Sequence, residues 1–151
     1  MYPRLLRAVD ERLFVGPMGT ILAPPPGLQW VGWVDLVEAE VRSEYPALAR
    51  QRDTRALSLR PEALFRTSIR DGVDIAPKVF ARALGAYRAA QGAVLVSCAA
   101  GLSRSPSVAY AILRRALGIG HEEAVRRVSV EGWTLEGTAP LASARAWAEA
   151  R

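Results

Sequence analysis

Cys98 closes the apolar run Val94-Leu95-Val96-Ser97, and Arg104 follows it by six positions across the small-residue loop Ala99-Ala100-Gly101-Leu102-Ser103. It is the only cysteine among 151 residues. A thiolate is a strong nucleophile, and a helix N-terminus beside a cation favours that form of a thiol. An arginine offers a planar fork of donors matched to two phosphate oxygens. A glycine-containing loop between them lets several backbone N–H groups turn inward as a nest for an oxyanion. The set therefore predicts nucleophilic attack on a bound phosphoester. Cys98 supplies the nucleophile, and Ala99, Ala100, Gly101, Leu102, Ser103 and Arg104 supply the phosphate cradle. Ser105 can donate to the sulfur and help it leave, or Ser103 and Ser105 can simply cap the following helix.

Spacing alone does not carry this. With 19 arginines in the chain, any given position holds one about one time in eight. Context adds the weight: an apolar stretch before, Gly101 within, Ser105 after, and the helical pattern Val108, Ala109, Ile112, Leu113 beyond. The plain alternative is a buried, inert thiol, since free cysteine is among the most buried residue types. A core cysteine, however, needs neither the loop nor the arginine.

These residues must be positioned by a strand before and a helix after. Residues 93–97 read as a short buried strand and 105–117 as a helix. Upstream, 13–16 and 30–36 read as strands, with the proline-rich loop 23–27 between them. Val37, Val41 and Tyr45 recur at helical spacing, with Pro46 as a stop. Segments 56–59 and 64–69 are further strand candidates, and 70–72 is a turn. Val79, Phe80, Ala83, Leu84 and Tyr87 mark one face of a helix within 74–91, ended by Gly92. Residues 121–130 and 140–150 complete the pattern as helices. Strands alternating with helices predict an α/β fold, a single domain over 1–151 with a mainly parallel central sheet of four to five strands flanked by helices. The loop 98–104 then falls at the carboxyl end of a strand, where open α/β sheets place their ligands.

Composition narrows the function classes. A lone cysteine forms no internal disulfide, so nothing asks for an oxidising compartment. Charges at Arg4, Arg7, Asp10, Glu11 and Arg12 interrupt any signal-like apolar core. No apolar run approaches the roughly 18 residues of a membrane span. A cytoplasmic monomer without membrane contact is expected. The net charge is +5, but the arginines are scattered among acids, without a basic block or aromatic interleaving, so no nucleic-acid partner is expected. One histidine and scattered carboxylates make no metal set, and no cofactor is expected.

The segment CAAGLSRS, with SPSVAYAIL after it, resembles the active-site loop and following helix of the cysteine-dependent protein tyrosine phosphatases, in particular the compact dual-specificity type. The resemblance is strongest from Asp71 to Val130. It implies that fold, a cysteinyl-phosphate intermediate, and a phosphorylated protein or small phosphoester as substrate. One position departs from it: the family has histidine immediately before the cysteine, and this chain has Ser97. A serine can hydrogen-bond to nearby groups but carries no charge. His121 lies 23 positions beyond Cys98, at the start of a later helix, and does not suggest a Cys–His dyad.

The reaction also needs a proton for the leaving oxygen. The resemblance places an aspartate on the loop before the long helix, where IRDGVDIAPKVF offers Asp71 and Asp74. Asp71 precedes Gly72 on a turn and matches the family pattern, so it is the expected general acid. Asp74 sits where a helix cap belongs, ahead of Pro77. The loop carries no lysine, unlike that of phosphoinositide-cleaving relatives, which argues against a highly phosphorylated inositol; the short chain leaves little room for an insertion that would deepen the pocket, which points to a shallow cleft for phosphotyrosine and phosphoserine or phosphothreonine. Trp30, Trp33 and Trp133 either line its rim or pack in the core. Two other classes stay open: a non-catalytic phosphate-binding module on the same fold, and a cysteine-dependent oxyanion enzyme such as an arsenate reductase. The latter usually needs resolving cysteines, which are absent. A rhodanese-type sulfurtransferase loop would be one residue shorter.

Overall fold

The structure is a computed structural model and describes residues 5–150. Residues 1–4 and 151, the outer ends of the expected domain, lie outside the described residues. Its strands are β1 (Arg7–Ala8), β2 (Leu13–Gly16), β3 (Trp30–Asp35), β4 (Leu64–Arg66) and β5 (Ala93–Ser97). Its helices are α1 (Glu38–Glu44), α2 (Pro46–Ala56), α3 (Pro77–Ala89), α4 (Arg104–Leu117), α5 (His121–Val128) and α6 (Ala139–Glu149). The sheet runs β1-β2-β5-β3-β4, with β1 antiparallel to β2 and every other pairing parallel. β5, which leads into the cysteine loop, is therefore central.

Alternation along β5 divides the core. Val94 and Val96 face the larger cluster under α3 and α4, where Phe80, Tyr110 and Ile112 are buried. Ala93 and Leu95 face the opposite side, where they pack with Ile21, Trp30, Trp33, Ala56 and Leu59. Both faces are thus covered, which is why the central strands read as continuous apolar runs rather than as alternating ones.

Four expectations change. Pro46 does not end the helical region. Tyr45 breaks the backbone at φ −137°, and Pro46 opens α2 at its first position, where a missing N–H costs nothing. Segment 56–59 is not a strand, because the N–H groups of Leu57, Ser58 and Leu59 bond back to Asp53, Arg55 and Ala56 as a closing helical turn. Strand 64–69 shortens to Leu64–Arg66; beyond it, Thr67 and Ile69 donate to Asp35 and Leu36 in an irregular continuation. Asp74 is not a cap: α3 begins at Pro77 behind Ala76, without a side-chain cap bond. The Ile75 N–H instead donates to Ser143 Oγ of α6 at 3.0 Å, which ties 74–76 to α6. β1 went unanticipated, being two residues long and so without a period to read.

Candidate active site

The carboxyl end of β5 is held from both sides before the loop begins. The Ser97 carbonyl accepts from Leu36 N–H at 3.1 Å, and Cys98 N–H donates to the Gly16 carbonyl at 3.4 Å. One residue on, the Ala99 carbonyl accepts from Met18 N–H at 3.2 Å. The loop then turns at Gly101, whose φ of +79° favours glycine. α4 follows with Ser103 at its cap position, though without a side-chain cap bond.

This path returns the loop over its own cysteine. Gly101 N–H points at Cys98 Sγ at 3.3 Å, and Ser105 Oγ lies 3.1 Å from the same sulfur. Cys98 is 2% exposed, and Ser105 is fully buried. A negative charge on the sulfur would therefore meet two hydrogen-bond donors and the N-terminus of a fourteen-residue helix. Arg7 of β1 is a basic residue outside the loop and α4 whose charge is coupled to that of Cys98. Burial lowers the Arg7 guanidinium to about 10, and the charge of Cys98 opposes that fall. Arg7 itself is fixed by donating to the carbonyls of Leu5 and Val128 at 2.7 and 2.6 Å.

Arg104 is 4% exposed and anchored rather than free to swing. Its Nη1 donates to the Ile69 carbonyl at 2.9 Å and to Glu40 Oε1 of α1 at 3.3 Å. Its Nε lies 3.6 Å from Asp71 Oδ1 and has no hydrogen-bond partner. Asp71 is itself well exposed, so its carboxyl group can approach a bound ester. Cys98, Ala99, Ala100, Leu102, Ser103, Arg104, Asp71 and Trp133 together line a cavity of about 90 Å³. Larger hollows occur between α3 and α6 and beside His121, but they are shallow, and neither brings a cysteine together with an arginine and an aspartate.

Most of the expected site residues meet at this one cavity, with Ser105 behind the sulfur. The others lie apart. Asp74 lines the hollow against α6. His121 opens α5 and bonds to Tyr110 and Glu136, both at 2.8 Å. Trp30 and Trp33 belong to the core, and of the three tryptophans weighed for the rim only Trp133 stands there. Glu40 and the Ile69 carbonyl, both bonded to Arg104, are site components that sequence reasoning missed. Each reaches the loop from a distant segment, and nothing in the local pattern marks it.

Ser97 has a defined partner. Its Oγ accepts from the Trp33 indole N–H at 2.9 Å. The guanidinium carbons of Arg52 and Arg66 each lie 4.9 Å from the centre of that indole. Asp35, fully buried, accepts from Arg52 at 2.6 Å and from Arg66 at 3.1 Å. Burial pulls the Arg52 guanidinium below its ordinary range, and Asp35 opposes that pull. The position before Cys98 is thus held by a buried polar network reaching from β5 through β3 to α2.

Solved structures share this architecture. Tk-PTP in its active form aligns over 100% of both chains, with a TM-score of 0.69 and 19% identity. PTPMT1 aligns over 95% of this chain and 93% of its own, with a TM-score of 0.67 and 17% identity; it has also been solved in complex with PI(5)P. Human DUSP28 aligns over 95% and 93%, with a TM-score of 0.64 and 20% identity. No family model and no curated protein matches the sequence. The fold is that of the compact protein tyrosine and dual-specificity phosphatases, as the loop sequence led us to expect. Among the described residues, no helix is long and apolar enough to cross a membrane.

Proposed function

We propose that this chain is a phosphomonoester hydrolase, a protein tyrosine or dual-specificity phosphatase, whose whole length forms one catalytic domain. The observation that carries the reading is the convergence of Cys98, Arg104 and Asp71 on one cavity sized for a phosphoryl group. The shared fold supports it. The substrate is a phosphorylated protein or a small phosphoester, and the protein acts as a cytoplasmic monomer.

The reaction runs in two displacements. Arg104 and backbone N–H groups of the loop 99–103 hold the non-bridging oxygens. Cys98 thiolate attacks phosphorus, the bond to the ester oxygen breaks, and Asp71 gives that oxygen a proton. A cysteinyl-phosphate and a free alcohol or phenol result. Water then attacks phosphorus and gives a proton to the Asp71 carboxylate. The S–P bond breaks, and the sulfur departs as a thiolate received by Gly101 N–H and Ser105 O–H. Covalent catalysis divides one difficult displacement into two, and fixed donors around the phosphoryl oxygens supply the larger share of the acceleration. Every role falls to a side chain or backbone group of this chain, without a cofactor.

Hydrolysis of p-nitrophenyl phosphate, with a chelator present and Cys98→Ser alongside, tests the reading. Chelator-resistant turnover that disappears in the variant is expected. A folded wild-type protein that binds phosphate or vanadate without turnover would replace the reading with a non-catalytic binding module.

A further inference from the structure

The four tryptophans are used differently. Trp30 and Trp33 are buried, and each indole N–H has an acceptor, Thr20 O at 3.1 Å and Ser97 Oγ at 2.9 Å. Trp147 stacks on Phe80 with ring centres 5.6 Å apart and lies beneath Arg115. Trp133 has no aromatic, cationic or hydrogen-bonded side-chain partner among the described residues, and it is 47% exposed. A singly exposed apolar residue needs no special explanation. Trp133 differs from the exposed Leu57, Tyr45 and Leu117 in lining the cavity that holds Cys98.

The segment that carries it is anchored. Trp133 N–H donates to the Val130 carbonyl at 3.0 Å, closing a turn in which Gly132 takes φ +82°. Leu135, two residues on, is 2% exposed and fastens the segment to the core. The indole is thus held at the mouth at little conformational cost, since a tryptophan has only two side-chain torsions to fix.

The cavity's size decides what the indole can touch. At about 90 Å³ it is far smaller than the roughly 300–1,000 Å³ of a pocket that engulfs a drug-sized ligand, so a phosphoryl group seated at Cys98 takes up much of it. The organic part of an ester then extends towards the mouth, beside Trp133. The charged side chains lining the cavity are Arg104 and Asp71, with no second cation for a second phosphate.

We infer that Trp133 determines specificity: its ring is the wall against which an aromatic leaving group packs, so the site selects aryl phosphate monoesters, such as phosphotyrosine, over alkyl ones. This rests on the phosphatase reading and deepens it. The test compares kcat/KM for one peptide carrying phosphotyrosine or phosphoserine, and for vesicles containing a phosphatidylinositol monophosphate, in wild type, Trp133→Ala and Trp133→Phe. Calorimetric binding of the same peptides to Cys98→Ser and to Cys98→Ser/Trp133→Ala runs in parallel. Trp133→Ala is expected to lower the phosphotyrosine-to-phosphoserine ratio about tenfold, the scale of one aromatic contact, mainly through KM, and Trp133→Phe to restore most of it. An unchanged ratio, or faster wild-type turnover of the lipid than of the phosphotyrosine peptide, overturns the inference while leaving a phosphatase. If no ester is hydrolysed, the phosphatase reading falls. The binding ratio then decides on Trp133 alone: loss of phosphotyrosine preference on its removal sustains the role, and equal loss for both peptides overturns it.

Discussion

Replacing Gly101 by alanine tests whether the cysteine loop is shaped by its own backbone. Two costs can be read from the structure. The first is conformational: at φ +79° a side chain is strained, by roughly 1–2 kcal/mol. The second is steric. A Cβ at this position would lie 3.0 Å from the carbonyl carbon of Gly16, 3.2 Å from its oxygen and 3.2 Å from the nitrogen of Pro17. These are backbone atoms at the end of β2, and the Gly16 oxygen already accepts from Cys98 N–H, so they cannot yield separately. Forcing a methyl into such a site adds a further 1–3 kcal/mol or so. The sum, roughly 2–5 kcal/mol, is large against a typical domain stability of about 5–15 kcal/mol.

Gly118 provides the control. It takes φ +66° at the end of α4, and a Cβ there meets nothing within 4 Å. Gly118→Ala should therefore show the conformational cost alone and leave turnover unchanged. Gly101→Ala can relieve its clash only by lifting the loop, which pulls Gly101 N–H away from the sulfur. Its kcat/KM should fall by about 10- to 100-fold, as misplaced reacting groups do. Urea unfolding of both variants, with p-nitrophenyl phosphate kinetics, gives the comparison. Equal unfolding midpoints and retained turnover in Gly101→Ala would refute the close approach of the loop to β2.

Further expectations concern single side chains. Arg104→Lys keeps the charge but loses the fork and the shared bonds to Ile69 and Glu40, and kcat should fall by about 10²-fold or more in steady-state assays. Asp71→Asn should slow esters with poor leaving groups by about 10²-fold and spare good ones, while Asp74→Asn, at the separate hollow beside α6, changes neither; the reverse pattern would move the acid role to Asp74. Trp33→Phe removes the donor to buried Ser97 and should cost about 1–3 kcal/mol by denaturant unfolding. Hydrogen bonds from Arg42 lower Asp53 from 3.8 to about 2, with those from Arg66 adding to the effect. Its contribution to stability is then present above 3.8 and lost as pH falls through about 2, so Asp53→Asn should flatten unfolding curves measured across that interval.

What the sequence reveals follows the range of the interactions involved. The strand, loop and helix around Cys98 are contiguous, so their apolar pattern, glycine and arginine place them without reference to the rest of the chain. Helix α3 is equally plain, because Val79, Phe80, Ala83, Leu84 and Tyr87 all face the core. Boundaries fail where one residue type serves two purposes. Proline stops one helix and starts another, so Pro46 was ambiguous. Asp74 resembled a cap because the competing acceptor for Ile75 N–H, Ser143, is on a helix far along the chain. The partners of Arg104 were invisible for the same reason: Glu40 and Ile69 come near it only after the sheet has formed.

Ser97 shows how such long-range packing alters the meaning of a motif. A departure from the family pattern directly before Cys98 suggests a less stabilised thiolate or a loop held differently. In the folded chain, however, strand alternation turns the Ser97 side chain to the face occupied by Leu95 and Trp33, while the sulfur lies in the cluster beneath α4. A histidine there would have to fit against the fully buried Trp33, whose ring already carries the guanidinium groups of Arg52 and Arg66. A serine fits by accepting the indole N–H, and Asp35 balances the guanidinium charges from its own buried position. The donors around the sulfur come from elsewhere, from Gly101 and Ser105. Ser97→His alone should therefore disrupt the Trp33 network rather than strengthen the nucleophile. A variant that lost stability without gaining rate would bear this out, and one that gained rate at unchanged stability would contradict it.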